Sequence, residues 1–157
     1  MISVALPIAP VTLLIASAGR KPLCEHVNDP PPSPTTVTEH ASYVGNCWRL
    51  TAVAEKGHTA AVAKPAGAWL YLGADGFLVA FDGVNTTSGQ YTSTATGYDI
   101  AWAGTTLLPS HEDATADAGI QTAVSQHVTI VTADHTRLTI RAGEVEARFT
   151  RAIPGEK

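Results

Sequence analysis

From Cys47 onward, apolar side chains fall at every second position in short runs, and each run ends in a glycine- or aspartate-containing reversal. A period of two sends alternate side chains to opposite faces of an extended strand, so such a chain must bury one face of a sheet. Reversals at short, regular intervals make the sheet a sandwich or barrel. The runs are Cys47–Glu55, with Trp48 and Leu50 on one face, then Ala68–Leu72, Phe77–Asp82, Ser88–Ser93 and Tyr98–Ala103. Three more follow at His127–Ala133, Arg137–Arg141 and Val145–Ala152. Gly73-Ala74-Asp75-Gly76 has the composition of a hairpin turn. Tyr98, Ile100 and Trp102 alternate and are expected on one face.

One stretch switches to helical spacing. Ala116, Ile120, Ala123 and Val124 form a narrow apolar stripe. Ser110-His111-Glu112-Asp113 before it reads as a capping box, with Ser110 as the cap. Gly119 lies inside the stripe and weakens the helix by about 1 kcal/mol relative to alanine, so the helix is expected to depend on packing against the sheet. The expected fold is therefore mostly β and barrel-like, with about eight strands and one packed α-helix. Trp48, Phe81, Tyr91 and Phe149 are its large inward side chains, and Trp69 and Tyr71 face outward if Leu70 and Leu72 face the core.

Three segments follow: an apolar N-terminal segment, 1–23, a Pro/Thr-rich linker, 24–43, and a folded domain, 44–153. Asp29-Pro30-Pro31-Pro32-Ser33-Pro34 in the linker favours extended polyproline geometry over a strand ladder and reads as a tether. The first segment carries Val11–Ile15, and Ala16-Ser17-Ala18 fits a secretory cleavage site. Arg20-Lys21 after the apolar run has the wrong charge asymmetry for export, and Pro7 and Pro10 interrupt a helix there. The balance favours an extracytoplasmic protein, with any membrane association through this segment alone. Cys24 and Cys47 are either two thiols or, in an oxidising compartment, one disulfide closing a loop over the proline-rich stretch.

Net charge is −4, and the ten basic residues are spread along the chain, which argues against nucleic acid as a partner. The six histidines stand at no metal-ligand spacing with another ligand on one expected element, so neither metal nor cofactor is expected. No nucleophile elbow surrounds any serine, and no catalytic residue is assigned.

Three pieces of the chain, in order, carry a resemblance. They are Gly45-Asn46-Cys47-Trp48-Arg49-Leu50; Asp75-Gly76 with Phe81-Asp82-Gly83-Val84-Asn85-Thr86-Thr87-Ser88-Gly89-Gln90-Tyr91; and Thr105-Thr106 with the acidic helix start, Leu138-Thr139-Ile140 and the Phe149 strand. Together, over residues 45–152, they resemble the META domain, the family of the heat-shock-induced HslJ protein. The resemblance implies a small β-barrel with a helix packed across it, association with the bacterial envelope, and no enzymatic activity. Family roles in stress response, antibiotic tolerance or motility are phenotypes and do not define a mechanism. Trp48, Leu50, Gly83, Asn85, Gly89, Tyr91 and Thr106 fall on the family's structural motif. Val84 stands where the family has a cysteine, and the second family cysteine is absent around Thr106–Pro109.

Two functions remain open on these residues. One is a non-catalytic envelope domain that recognises a protein through its surface, with Trp69, Tyr71 and Asn85 as binding candidates. The other is a carrier of a small apolar ligand or lipid inside the barrel.

Overall fold

The computed structural model describes Cys24 and residues 43–63, 67–106 and 113–152. Within them nine strands and one helix follow in the order β1 (Cys47–Glu55), β2 (His58–Ala61), β3 (Trp69–Leu72), β4 (Phe77–Phe81), β5 (Thr86–Ser93), β6 (Gly97–Thr105), α1 (Ala114–Ala123), β7 (His127–Ala133), β8 (Arg137–Ala142) and β9 (Val145–Arg151). Every pairing is antiparallel, and β9 returns to pair with β1, which closes eight strands into a barrel and leaves β2 as an extra strand beside β1. The short β2, exposed throughout, carries no alternation and was not expected from the sequence.

The core holds Trp48, Leu50, Leu70, Leu72, Leu78, Tyr98, Leu138, Ile140 and Phe149 from the strands, with Ala116, Ile120 and Ala123 from α1. α1 lies against β1, β8 and β9 and reaches β3 and β4, so it braces strands from both sides of the closure. Tyr43, assigned to the linker by composition, belongs to this core, and its carbonyl accepts a 2.7 Å hydrogen bond from Trp48 Nε1. The folded domain thus begins at or before Tyr43.

Bulges shift the alternation in three strands. The register of β1 slips between Leu50 and Ala52, which is why Leu50 and Val53, three apart, both point inward. A second slip sets Gln90 against Trp102 but Tyr91 against Ile100, leaving Ala101 as the extra residue. Tyr98 is accordingly buried and Trp102 is 52% exposed, so the expectation that both share a face with Ile100 fails at the bulge. β7 slips likewise between Ile130 and Thr132.

The helix cap is also displaced. Asp113 is the N-cap, and its carboxylate accepts from the Thr115 and Ala116 N–H groups at 3.0 and 3.2 Å. The expected cap, Ser110, lies outside the described residues. Asp113 Oδ2 also accepts from the Ala63 N–H at 3.0 Å, which ties the helix start to the chain leaving β2.

Cys24 and Cys47 form a disulfide with their Cα atoms 5.7 Å apart. The bond attaches Cys24 to the first residue of β1, and Tyr43 is in the core. Of the two states open to Cys24 and Cys47, the structure has the disulfide. Apart from Cys24 and Tyr43, the linker, like the segment 1–23, lies outside the described residues.

Candidate functional site

The registers of β1, β3, β4, β5 and β6 define one continuous outer surface. Leu70, Leu72, Leu78 and Ala80 point into the core, so Trp69, Tyr71, Phe77, Val79 and Phe81 point out. Trp69 pairs with Phe81, Tyr71 with Val79 and Phe77 with Gln90, and Gln90 in turn pairs with Trp102. The Trp102 indole N–H donates to Gln90 Oε1 at 3.1 Å, which holds the ring on this surface. The bulge at Ala101 is what brings Trp102 out to join the row.

Trp69 and Tyr71 do stand on the outer side, but their exposure differs from a free aromatic patch. Trp69 is only 7% exposed and lies against Phe81 with ring centroids 6.0 Å apart. Tyr71, Phe77 and Phe81 are half-buried. Phe81, expected inward, is part of this outer row because Leu78 and Ala80 take the inward positions of β4. Trp102, expected to share a face with Tyr98 and Ile100, is instead the aromatic that stands exposed.

Asn85 is 4% exposed and serves the turn between β4 and β5. Asp82 Oδ1 accepts from the N–H groups of Val84 at 2.8 Å and Asn85 at 2.6 Å, and Asn85 Nδ2 donates to Asp82 Oδ2 at 3.5 Å. Gly83 occupies the left-handed region at φ 103°, which a side chain would strain. Thr106 closes the same corner: its N–H donates to the Thr86 carbonyl and its hydroxyl accepts from the Thr86 N–H, each at 3.0 Å.

Tyr91 and Gly89 face inward. Tyr91 donates to the Gly73 carbonyl at 2.6 Å and meets Tyr98 edge-on at 5.6 Å. Burial, reinforced by Tyr43, Asp75 and Tyr71, pushes the Tyr91 phenol up to about 12. Gly89 backs onto Ala103, where a β-carbon would lie 3.1 Å from the Ala103 methyl. Trp48 and Leu50 are core residues. Trp48, Leu50, Gly83, Asn85, Gly89, Tyr91 and Thr106 therefore each have a local structural task, and the exposed aromatic, Trp102, is not among them.

The barrel interior, which an enclosed apolar ligand would need, is occupied by Trp48, Tyr98, Phe149, five leucines and Ile140, with Ile120 of the helix among them, all essentially inaccessible. The grooves lie outside it. One of about 510 Å³ runs between the β1–β2 hairpin and the start of α1, lined by Val53, His58, Ala60, Thr115 and Ala118. Another of about 440 Å³ lies between the β1–β2 and β8–β9 hairpins, where Glu146 bonds Arg141 at 2.9 Å and Arg148 at 3.0 Å. Those two guanidinium bonds, Arg141 first, overcome partial burial and hold the Glu146 carboxyl below its ordinary range.

His127 Nδ1 and Asp99 Oδ1 sit 3.0 Å apart on the surface, and neither extends to a hydroxyl or thiol among the described residues. No group of three or more His, Cys, Asp and Glu side chains placed to hold a metal is found among them either.

No family model matches the sequence, and no curated protein matches it. The fold is similar to that of a protein from Burkholderia xenovorans solved by NMR, at 16% identity and a TM-score of 0.55, covering 81% of this chain and 97% of that one. Identity that low supports the fold alone. Among the described residues no helix is long and apolar enough to cross a membrane.

Proposed function

We propose that this chain is a non-catalytic, extracytoplasmic domain of the META/HslJ type that recognises a protein partner through the outer surface of β3–β6. The observation that carries this reading is Trp102, 52% exposed at the end of a surface that also holds Tyr71, Phe77 and Phe81. An aromatic held in place by a side-chain hydrogen bond, next to half-buried aromatics and neutral polar residues, has the make-up of an interface anchor. The filled interior favours surface recognition over an enclosed ligand. The META assignment is supported by the barrel with its packed helix and by the Asp82–Tyr91 corner. The disulfide favours an oxidising compartment.

Photo-crosslinking from position 102 in the native host tests the recognition reading. A discrete adduct with one protein is expected, and Trp102→Ser in the protein without the probe should lose capture of that same protein while its melting temperature holds. Absence of any adduct together with a lipid-sized extra mass on the native protein would replace this reading with the carrier. N-terminal sequencing of the recovered protein tests location, and an intact Met1 in a cytosolic fraction would overturn the export reading.

A further inference from the structure

β6 is nine residues long, and its two neighbours use it unequally. β5 runs along most of it, whereas β7 pairs only with Gly97–Asp99. The last bond on the β7 side runs from the Ile100 N–H to the Gln126 carbonyl, at 3.0 Å. Beyond it, every residue from Ala101 to Thr105 is exposed.

One bond fixes which way the backbone groups point. The Thr106 N–H donates to the Thr86 carbonyl, and bonded pairs alternate along an antiparallel ladder. Gly104 and Trp102 therefore turn their backbone groups to Ser88 and Gln90 on β5, while Ala103 and Thr105 turn theirs to the open side. Among the described residues nothing bonds those outward groups. Exposed edges are normally blunted by charge, proline or shortness. Residues 100–106, Ile-Ala-Trp-Ala-Gly-Thr-Thr, contain neither charge nor proline.

The group complementary to alternating outward N–H and C=O is another extended backbone. We propose that this edge pairs antiparallel with the same edge of a second copy of the chain, about a two-fold axis through Ala103. Outward-facing residues must bond outward-facing residues, which limits the axis to a few positions. Centred on Ala103, each Trp102 stands across from Gly104 of the other copy. Gly104 has no atom within 4 Å of where a β-carbon would be, so the indole of one copy covers open backbone of the other. Centring on Gly104 instead sets glycine against glycine and leaves Trp102 opposite Thr106. With no charged residue in the stretch, no like charges meet across the axis.

The inference goes beyond partner recognition, because it concerns the strand edge and holds whatever else the outer face binds. Amide exchange and sedimentation on the full chain, followed from dilute to millimolar concentration, test it. The expected result is a monomer–dimer equilibrium in which the Ala103 and Thr105 amides gain protection as dimer forms. Ala103→Pro removes an outward N–H and leaves the β5 ladder intact, so it should weaken the dimer at least about tenfold with the melting temperature preserved. A monomer at every concentration with both amides exchanging fast overturns the proposal, as does a dimer that protects another strand or survives Ala103→Pro. Protection only on addition of a different extended peptide also overturns it. Because Ala103→Pro leaves position 102 available to the probe, crosslinking from there in that variant separates loss of self-pairing from loss of the partner face.

Discussion

Gly119 of α1 lies so close to Leu50 of β1 that a β-carbon on the glycine would fall 2.5 Å from Leu50 Cδ2 and 3.0 Å from Val53 Cγ2. Helix propensity alone makes Gly119→Ala stabilising by about 1 kcal/mol. Leu50 is fully buried and has little freedom to withdraw, so overpacking outweighs propensity. Gly119→Ala should lower stability by about 1–3 kcal/mol in chemical denaturation. Combining it with Leu50→Ala should cost less than the sum of the two single changes, because the truncated side chain makes room for the methyl.

The cap offers a second test. Partial burial raises the Asp113 pKa, but the N–H groups of Ala63, Ala116 and Thr115 outweigh it and hold the carboxyl below its ordinary value. A depressed folded-state pKa gives stability that is present above the unfolded value near 3.8 and is lost as pH falls through the folded value. Asp113→Ala should cost about 0.5–2 kcal/mol at neutral pH. It should also flatten the acid limb of a melting-temperature profile relative to the parent.

At the β4–β5 corner, Asp82→Ala removes the acceptor of two backbone N–H groups and should cost about 1–3 kcal/mol. Asn85→Ala should likewise lower the melting temperature and leave crosslinking from position 102 unchanged. The reverse pattern, an unchanged melt with a lost adduct, would return Asn85 to the binding surface.

The tyrosines predict an alkaline limit. With the Tyr91 phenol raised from 10.0 to about 12, chiefly by burial, its contribution to stability is complete below pH 10 and is lost as pH rises through 12. Denaturation midpoints between pH 8 and 12 should therefore fall, and less steeply in Tyr91→Phe. A residual fall should remain, since burial raises Tyr98 further still.

Reducing the Cys24–Cys47 bond, separated by 23 residues, should lower stability by about 3 kcal/mol in the chain-entropy account. Cys24→Ser should reproduce the loss and abolish sensitivity to reductant. In either case Cys24 is released from the start of β1, which an increase in hydrodynamic radius detects.

Legibility in the sequence followed the range of the forces involved. Eight of the strands, β1 and β3 through β9, could be placed to within a residue or two because alternation and turn chemistry act between near neighbours. The helix was visible in Ala116, Ile120 and Ala123 for the same reason. β2 was missed because an exposed strand has no apolar face to alternate. Phe81 was misplaced because either face of β4 is apolar, and Trp102 because a single extra residue, Ala101, inverts every side chain after it.

The order of residues by itself determined a mostly β, barrel-like domain of about eight strands with one packed helix, since period-two runs between tight reversals must bury one face of a sheet. Only the tertiary structure decided that the sheet closes through β1 and β9, that Gly119 is a contact and not a flaw, that Cys24 and Cys47 are bonded, and that Trp102 faces water. Each of these depends on atoms far apart in the chain coming within a few ångströms, and no local pattern encodes a distance of that kind.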